Sequence, residues 1–336
     1  MPPVFIIAEA GVNHNGSVDQ ALRLADAARA SGADAVKFQT FRADLLATRT
    51  APKAAYQERA QAAPESQFEM LKRLELDAEA HRRILGHCRG IGIQFLSSPF
   101  DPASADLLEA LGVPLFKVPS GEITNLPFLR HLAAKGRPLI VSTGMSTLAE
   151  VAEAVQVLRE ARPVPVTLLH CVTEYPAPYA EINLRAMETL RAAFGLPVGY
   201  SDHTPGIEIA VAAAALGAVV IEKHFTLDRA LPGPDHAASL EPPELRRMVE
   251  SIRHVEAAIG DGVKAPAPCE RPNMAVARKS VVAARALPAG HALTAADLDI
   301  KRPGSGLAPK HLPALVGRVL RTAVARDEVI TWELLT

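Results

Sequence analysis

His203 and His224 each close an apolar run of the kind that forms a buried parallel strand, Pro197-Val-Gly-Tyr-Ser-Asp-His203 and Val219-Val-Ile-Glu-Lys-His224. A histidine and a carboxylate at the mouth of two neighbouring strands can hold a divalent metal beside a substrate. Two protein ligands leave the coordination sphere open to water and substrate oxygens, which suits Mn²⁺ or Mg²⁺ better than structural zinc. Satisfied core histidines are the competing reading; the matching positions of the pair favour metal.

Polar side chains follow the other apolar runs as well. They are Glu9 with Asn13, His14 and Asn15; Lys37 and Gln39; Ser97 and Ser98; Lys117, Ser120 and Glu122; Ser142 and Thr143. Further along come Thr173, Glu174 and Tyr175, then Ser201 and Asp202, then Glu222 and Lys223. Lys37 and Lys117 lie inside strand-like segments, where an unpaired charge is costly, so a phosphate-bearing substrate explains them better than chance salt bridges. Hydroxyls and the nearby Gly121 and Gly144 would position such a group. Glu9 and Glu122 read as a base, a sugar-hydroxyl anchor or an indirect metal contact. Asp235 follows the rigid turn Pro232-Gly-Pro and is expected at the same mouth. Cys171 has no defined base beside it and reads as structural; His14, His170 and His236 are left without a role.

Eight short β-prone runs must position these groups: Val4–Glu9, Ala35–Gln39, Ile93–Ser98, Leu115–Ser120, Pro138–Thr143, Val166–His170, Pro197–Ser201 and Val219–Glu222. Helical patterns lie between them. Ser17 with Gln20 and Thr147 with Glu150 form capping boxes, Asp101-Pro102 opens a helix that stops at Gly112, and Thr204-Pro205 opens the last, ending at Gly217. This rhythm over roughly 250 residues predicts a (β/α)8 TIM barrel, with a doubly wound sheet as the alternative. An open sheet gathers functional groups at one switch point, whereas here they follow nearly every strand, so the barrel is preferred. The long Phe41–Met70 connection is expected to cover the mouth. The barrel should span residues 1–260, a Pro-rich linker 261–278, and a small β-rich domain 279–336, in which Leu293–Leu298 and Ile330–Leu335 loosely echo one another.

Composition narrows the partners. With 336 residues and 49% of them apolar, the chain can build a large core, and a net charge of −1 without long like-charge runs argues against nucleic acid or membrane surfaces. Three cysteines without CxxC spacing suit a reducing compartment, and neither a signal peptide nor a membrane span is recognisable. A cytoplasmic location is expected.

Several ordered motifs resemble the sialic acid synthase family, which includes N-acetylneuraminate, legionaminate and pseudaminate synthases. They are Ile7-Ala-Glu-Ala-Gly-Val-Asn-His-Asn-Gly16, Val36-Lys-Phe-Gln39, Lys117-Val-Pro-Ser-Gly-Glu122, Ser142-Thr-Gly-Met145 and Thr173-Glu-Tyr-Pro176. Beyond them come Tyr200-Ser-Asp-His-Thr204, Glu222-Lys-His-Phe225, Gly233-Pro-Asp235 and Lys301-Arg-Pro-Gly304. The resemblance implies a TIM barrel joined to an antifreeze-like SAF domain, in a domain-swapped homodimer where Arg302 reaches the partner's site and holds the sugar's N-acyl group. It implies condensation of phosphoenolpyruvate with an open-chain N-acylated amino sugar, giving a nine-carbon 2-keto acid and phosphate.

On the same resemblance, Lys37, Lys117, Ser120, Ser142 and Ser201 bind phosphoenolpyruvate with Tyr175 nearby. His203 and His224 hold the metal, and Gln39, Tyr175 and Asp235 contact the sugar. Glu9 sits near metal and sugar oxygens, and Glu122 is the proton-handling candidate. Ser98 and Thr173 stand where neuraminate synthases can carry Thr and Asn. The long connection, with Tyr56-Gln57 and Ser66–Lys72, resembles the legionaminate form and some neuraminate synthases. The sugar stays open between N-acetylmannosamine and a 2,4-diacetamido-6-deoxy mannose analogue. An imine-forming aldolase and a metal-dependent hydrolase are the rival enzyme classes.

Overall fold

A computed structural model describes residues 2–54, 57–58 and 65–336. The chain divides into two compact units, Met1–Gly260 and Asp261–Thr336. The first holds eight parallel strands: β1 (Phe5–Gly11), β2 (Ala35–Thr40), β3 (Gln94–Pro99), β4 (Phe116–Val118), β5 (Leu139–Ser142), β6 (Val166–His170), β7 (Val198–Asp202) and β8 (Val220–His224). Their hydrogen-bonded order is β3-β2-β1-β8-β7-β6-β5-β4, and the two end strands also lie against each other, so the sheet curls into a nearly closed barrel. The TIM-barrel expectation is met.

These strands read as apolar runs because they are covered on both faces. Outward side chains such as Ile6, Val36, Val141 and Ile221 pack under the surrounding helices. Inward ones alternate with them along each strand. Ile7, Ala35, Leu96, Ile140, Leu169 and Val220 form an apolar plug inside the barrel. Two residues further along the same strands stand Glu9, Lys37, Ser98, Ser142, Cys171 and Glu222. The plug closes the floor, and the next layer faces the mouth. Gly199 lies between β6 and β8, where an added methyl would press on Leu169 Cδ2 at 2.7 Å and Val220 Cβ at 2.9 Å. Only a glycine fits that approach.

Capping fixes where the helices begin. Thr147 and Glu150 make the expected capping box, and Asp101 accepts from Ser104 N ahead of Pro102. Ser17 caps its helix, but the Gln20 side chain donates to the Asn13 carbonyl instead of returning to the cap. Two boundaries differ from expectation. The helix placed at Thr204-Pro205 starts only at Glu208, because Thr204 is held by the Asp202 carboxylate in a turn. A helix over Pro242–Ile259, not assigned from sequence, follows β8 and starts with proline in its first turn. Among the described residues no helix is long and apolar enough to cross a membrane.

The second unit has its own apolar core around Val281, Leu298, Leu320 and Ile330. Strands Ser280–Ala283 and Leu298–Lys301 pair antiparallel, joined by isolated bridges such as Val282 with Val329. The echoing segments are Thr-led 3₁₀ turns, Ala295–Asp297 and Trp332–Leu334, rather than strands. Asp261–Met274, expected as a featureless linker, carries a 3₁₀ turn at Pro268–Glu270 and enters a helix over Arg271–Ala277. Neither buries a residue, so neither leaves an apolar stripe to read.

Asp297 anchors the first turn. Its carboxylate, almost fully buried, accepts from His291 Nε2 (2.9 Å), Thr294 Oγ1 (2.7 Å), Thr294 N (3.0 Å) and Arg285 Nη2 (2.6 Å). These hydrogen bonds, led by His291, hold its carboxyl below the usual range. The sign follows: its stabilisation is complete above about pH 4 and is lost as pH falls through the depressed folded value. Asp297→Asn is expected to destabilise this unit by about 1.5–3 kcal/mol at neutral pH. Hydrogen exchange across residues 291–300 would accelerate; unchanged protection would show that the carboxylate is dispensable.

Candidate active site

Inward residues beyond the plug surround one cavity of about 300 Å³ at the strand ends. It is lined by Glu9, Lys37, Gln39, Ser98, Lys117, Ser120, Ser142, Thr173, Tyr175, Ser201, His203, Glu222, His224 and Asp235. All but two of the expected site residues are therefore together. Glu122 is not in the lining; it ends the 3₁₀ turn after β4 and accepts from Asn125 Nδ2 at 2.7 Å. Arg302 belongs to the second unit, exposed, its Nε donating to the Ala277 carbonyl. The long connection also contributes, through Leu46, Gln57, Gln67 and Met70, and the helix that ends it, Gln67–Leu74, adds Leu71 and Leu74; Tyr56 lies outside the described residues.

Strand alternation removes other candidates from the cup. Asp202 and Lys223 point outward and pair with each other. Ser97 faces Thr40, Thr143 donates to the Leu169 carbonyl, and Asn13 donates to the Phe225 carbonyl and Ser239. His14 accepts from the Gly16 amide, and Asn15 meets His236.

The charged core of the cavity is a buried network. Lys37 Nζ lies 2.6 Å from Glu9 Oε2, 3.9 Å from Glu222 Oε1 and 3.2 Å from Ser98 Oγ. Lys117 Nζ lies 3.2 Å from Glu222 Oε1, which also accepts from Ser201 at 3.1 Å. Burial opposes the charge on Lys37, but Glu222 and Glu9 outweigh it and hold the ammonium above its usual range. Burial likewise opposes the Glu222 carboxylate, yet Lys117 and Lys37 bring it below the usual range. Burial pushes Glu9 up to about 7, the neighbouring Glu222 carboxylate adding to the rise and Lys37 opposing it. Asp235 is raised by burial to about 6.

Glu222 is the site residue given no role from sequence, although the strand end containing it was recognised. Its contact with both lysines emerges only when β2, β4 and β8 close around one interior.

Apart from Glu9 Oε2, which is ion-paired with Lys37, four buried lining atoms have no hydrogen-bond partner among the described residues: Ser142 Oγ, Thr173 Oγ1, Glu222 Oε2 and His224 Nδ1. Buried polar groups left bare mark a place built for a ligand. Beside them a methyl on Gly144 would run into Thr173 Oγ1, Ser120 Oγ and Cys171 Sγ, and the Gly144 amide donates to Ser120 Oγ at 3.0 Å. Cys171 is buried, its thiol raised by that burial, which agrees with a structural role.

The two histidines converge. Their ring centroids are 5.5 Å apart, with the Tyr175 ring 4.2 Å from His203 and 5.3 Å from His224. His203 Nδ1 donates to the Val172 carbonyl at 2.6 Å, which leaves the Nε2 lone pair free. Burial depresses His203 to about 4 and His224 well below its usual value, so both are neutral imidazoles near pH 7. Neutral nitrogen donors, one of them unpartnered, fit a divalent cation. Among the described residues no group of three or more potential ligands forms a closed metal cluster. That is compatible with a coordination sphere completed by substrate.

Fold and site together define a (β/α)8 barrel enzyme with two buried lysines beside a histidine pair in one cavity. Similarity to known proteins makes the class specific. The chain belongs to the NeuB family, whose model matches residues 24–264, and residues 278–336 match the SAF domain. It is 48% identical over 332 residues to the N,N'-diacetyllegionaminic acid synthase of Campylobacter jejuni, covering 98% of this chain and 99% of that protein. To the enzyme of the same name from Legionella pneumophila it is 47% identical over 333 residues, covering 98% and 94%. The crystal structure of the N-acetylneuraminic acid synthetase of Leptospira borgpetersenii, in complex with citrate, matches with a TM-score of 0.71 and 34% identity, covering 81% and 90%. The family resemblance carried by the motifs is borne out.

Proposed function

We propose that this chain is a nonulosonic acid synthase: it condenses phosphoenolpyruvate with an open-chain N-acylated mannosamine-type sugar, yielding a nine-carbon 2-keto acid and phosphate. The observation that carries it is the convergence of two buried lysines and two neutral histidines on one cavity. Lys37 and Lys117 neutralise the phosphate and carboxylate of phosphoenolpyruvate, exchanging their carboxylate partners for the ligand. Ser120, Ser142 and Ser201, with Ser98 and Thr173 alongside, supply hydroxyl contacts. Gln39, Tyr175 and Asp235 contact the sugar.

The chemistry joins C3 of phosphoenolpyruvate to the aldehyde carbon. The aldehyde oxygen takes a proton, water adds at C2 and loses one, and phosphate leaves. Glu9, which binds a proton near neutrality, is assigned to the aldehyde oxygen. Glu122 lies outside the cavity lining, which weakens its claim to the water. His203 and His224 would hold Mn²⁺ or Mg²⁺, and the bound ion would supply Lewis-acid polarisation of the aldehyde.

The names of the two relatives favour the 2,4-diacetamido-6-deoxy sugar over N-acetylmannosamine, hence N,N'-diacetyllegionaminate as product. Mass spectrometry of products from the two sugars in parallel tests this; turnover of N-acetylmannosamine alone would reverse the assignment. An imine-forming lysine is disfavoured because Lys37 is held protonated and Lys117 is ion-paired, whereas imine formation needs a free amine. Borohydride with substrate should label neither.

The proposal includes a cytoplasmic homodimer in which Arg302 of the small domain reaches the neighbouring subunit's sugar. Arg302→Ala should raise the sugar KM about tenfold, the loss of one charge-assisted hydrogen bond, without lowering Tm. Wild-type KM for both sugars would remove Arg302 from the site.

A further inference from the structure

The buried Asp202–Lys223 pair lies outside the cavity and has no part in the reaction above. Its place in the register is specific. In the ladder between β7 and β8, Ser201 pairs with Glu222 and Asp202 with Lys223; next come His203, just past the end of β7, and His224, the last residue of β8. Asp202 Oδ2 meets Lys223 Nζ at 2.7 Å, with both side chains fully buried. The carboxylate's other oxygen accepts from Thr204 N at 3.0 Å, Thr204 Oγ1 at 2.8 Å and Tyr200 OH at 3.3 Å. Lys223 Nζ also donates to the Thr204 carbonyl at 2.5 Å. The pair therefore ties the backbone on the far side of His203 to the residue preceding His224.

We propose that Asp202 and Lys223 are positioning residues that hold the two histidines at the separation a shared divalent cation requires. A buried ion pair gives little net stability over apolar residues of similar volume, so stability alone is a poor account of one at this position. Strand alternation puts the tie behind the sheet and the imidazoles in front, so neither charge competes for the cation. This inference rests on the reading of His203 and His224 as metal ligands.

The test is Mn²⁺ titration of the full chain by calorimetry, with Tm measured alongside. His203→Ala is the control for the underlying reading: if it binds Mn²⁺ like wild type, the ligand assignment fails and this inference with it. Given that control, the Asp202→Leu/Lys223→Met double variant keeps the net charge and removes the tie. It is expected to regain most of the Tm lost by either single variant while its Mn²⁺ Kd stays raised by about 10- to 100-fold. Wild-type Mn²⁺ affinity in that variant would reduce the pair to a structural role. If the double variant does not fold, Asp202→Asn, which keeps the side-chain shape, decides. A raised Kd with a cooperative transition supports the tie, and an unchanged Kd overturns it.

Discussion

His203→Ala is expected to lower kcat/KM by on the order of 10³-fold, because several kcal/mol of charge stabilisation at the aldehyde would be lost with the cation. The purified variant should retain less Mn²⁺ by elemental analysis. The barrel should survive, since the plug residues and the helices around it do not depend on this ring. Its closest aromatic neighbour, Tyr175, would lose one face of packing. A variant with wild-type turnover in the presence of EDTA would refute the metal role outright.

Lys117→Met carries the second large effect, a fall of about 10²–10³-fold in kcat/KM for phosphoenolpyruvate through loss of a preorganised cation. Lys117 is also one of two ammonium groups holding Glu222 ionised, the other being Lys37 at 3.9 Å. Removing it leaves a buried carboxylate less well paired, so the single variant should also lose stability. Adding Glu222→Leu should return stability without returning turnover. Recovery of both would mean that Lys117 serves only to balance Glu222.

The barrel was legible because strands buried on both faces appear as unbroken apolar runs, each ending where chemistry begins. The same fact hid which polar residues turn inward. In Ser201-Asp202-His203 and Glu222-Lys223-His224 every position is polar, so no alternation separates the cavity side from the helix side. Asp202 and Lys223 were therefore counted with the cup although they face away from it. Glu122 stands outside the lining for a related reason: a 3₁₀ turn after β4 carries it out of the strand's alternation. The bare Ser142 Oγ and the contact of Glu222 with Lys117 depend on distances between strands far apart in sequence, which no local pattern encodes. The long connection was recognised by length alone, and the part Gln57 and Gln67 take in the lining needed the structure.

The lysines of this cavity are already engaged by Glu9 and Glu222 at its floor. The mouth consequently offers little attracting field to an anion still in bulk solvent, and capture must wait until the ligand reaches the interior and trades places with those carboxylates. Arrival should be governed by diffusion and fit rather than long-range steering, so the association rate for phosphoenolpyruvate should change little with added salt.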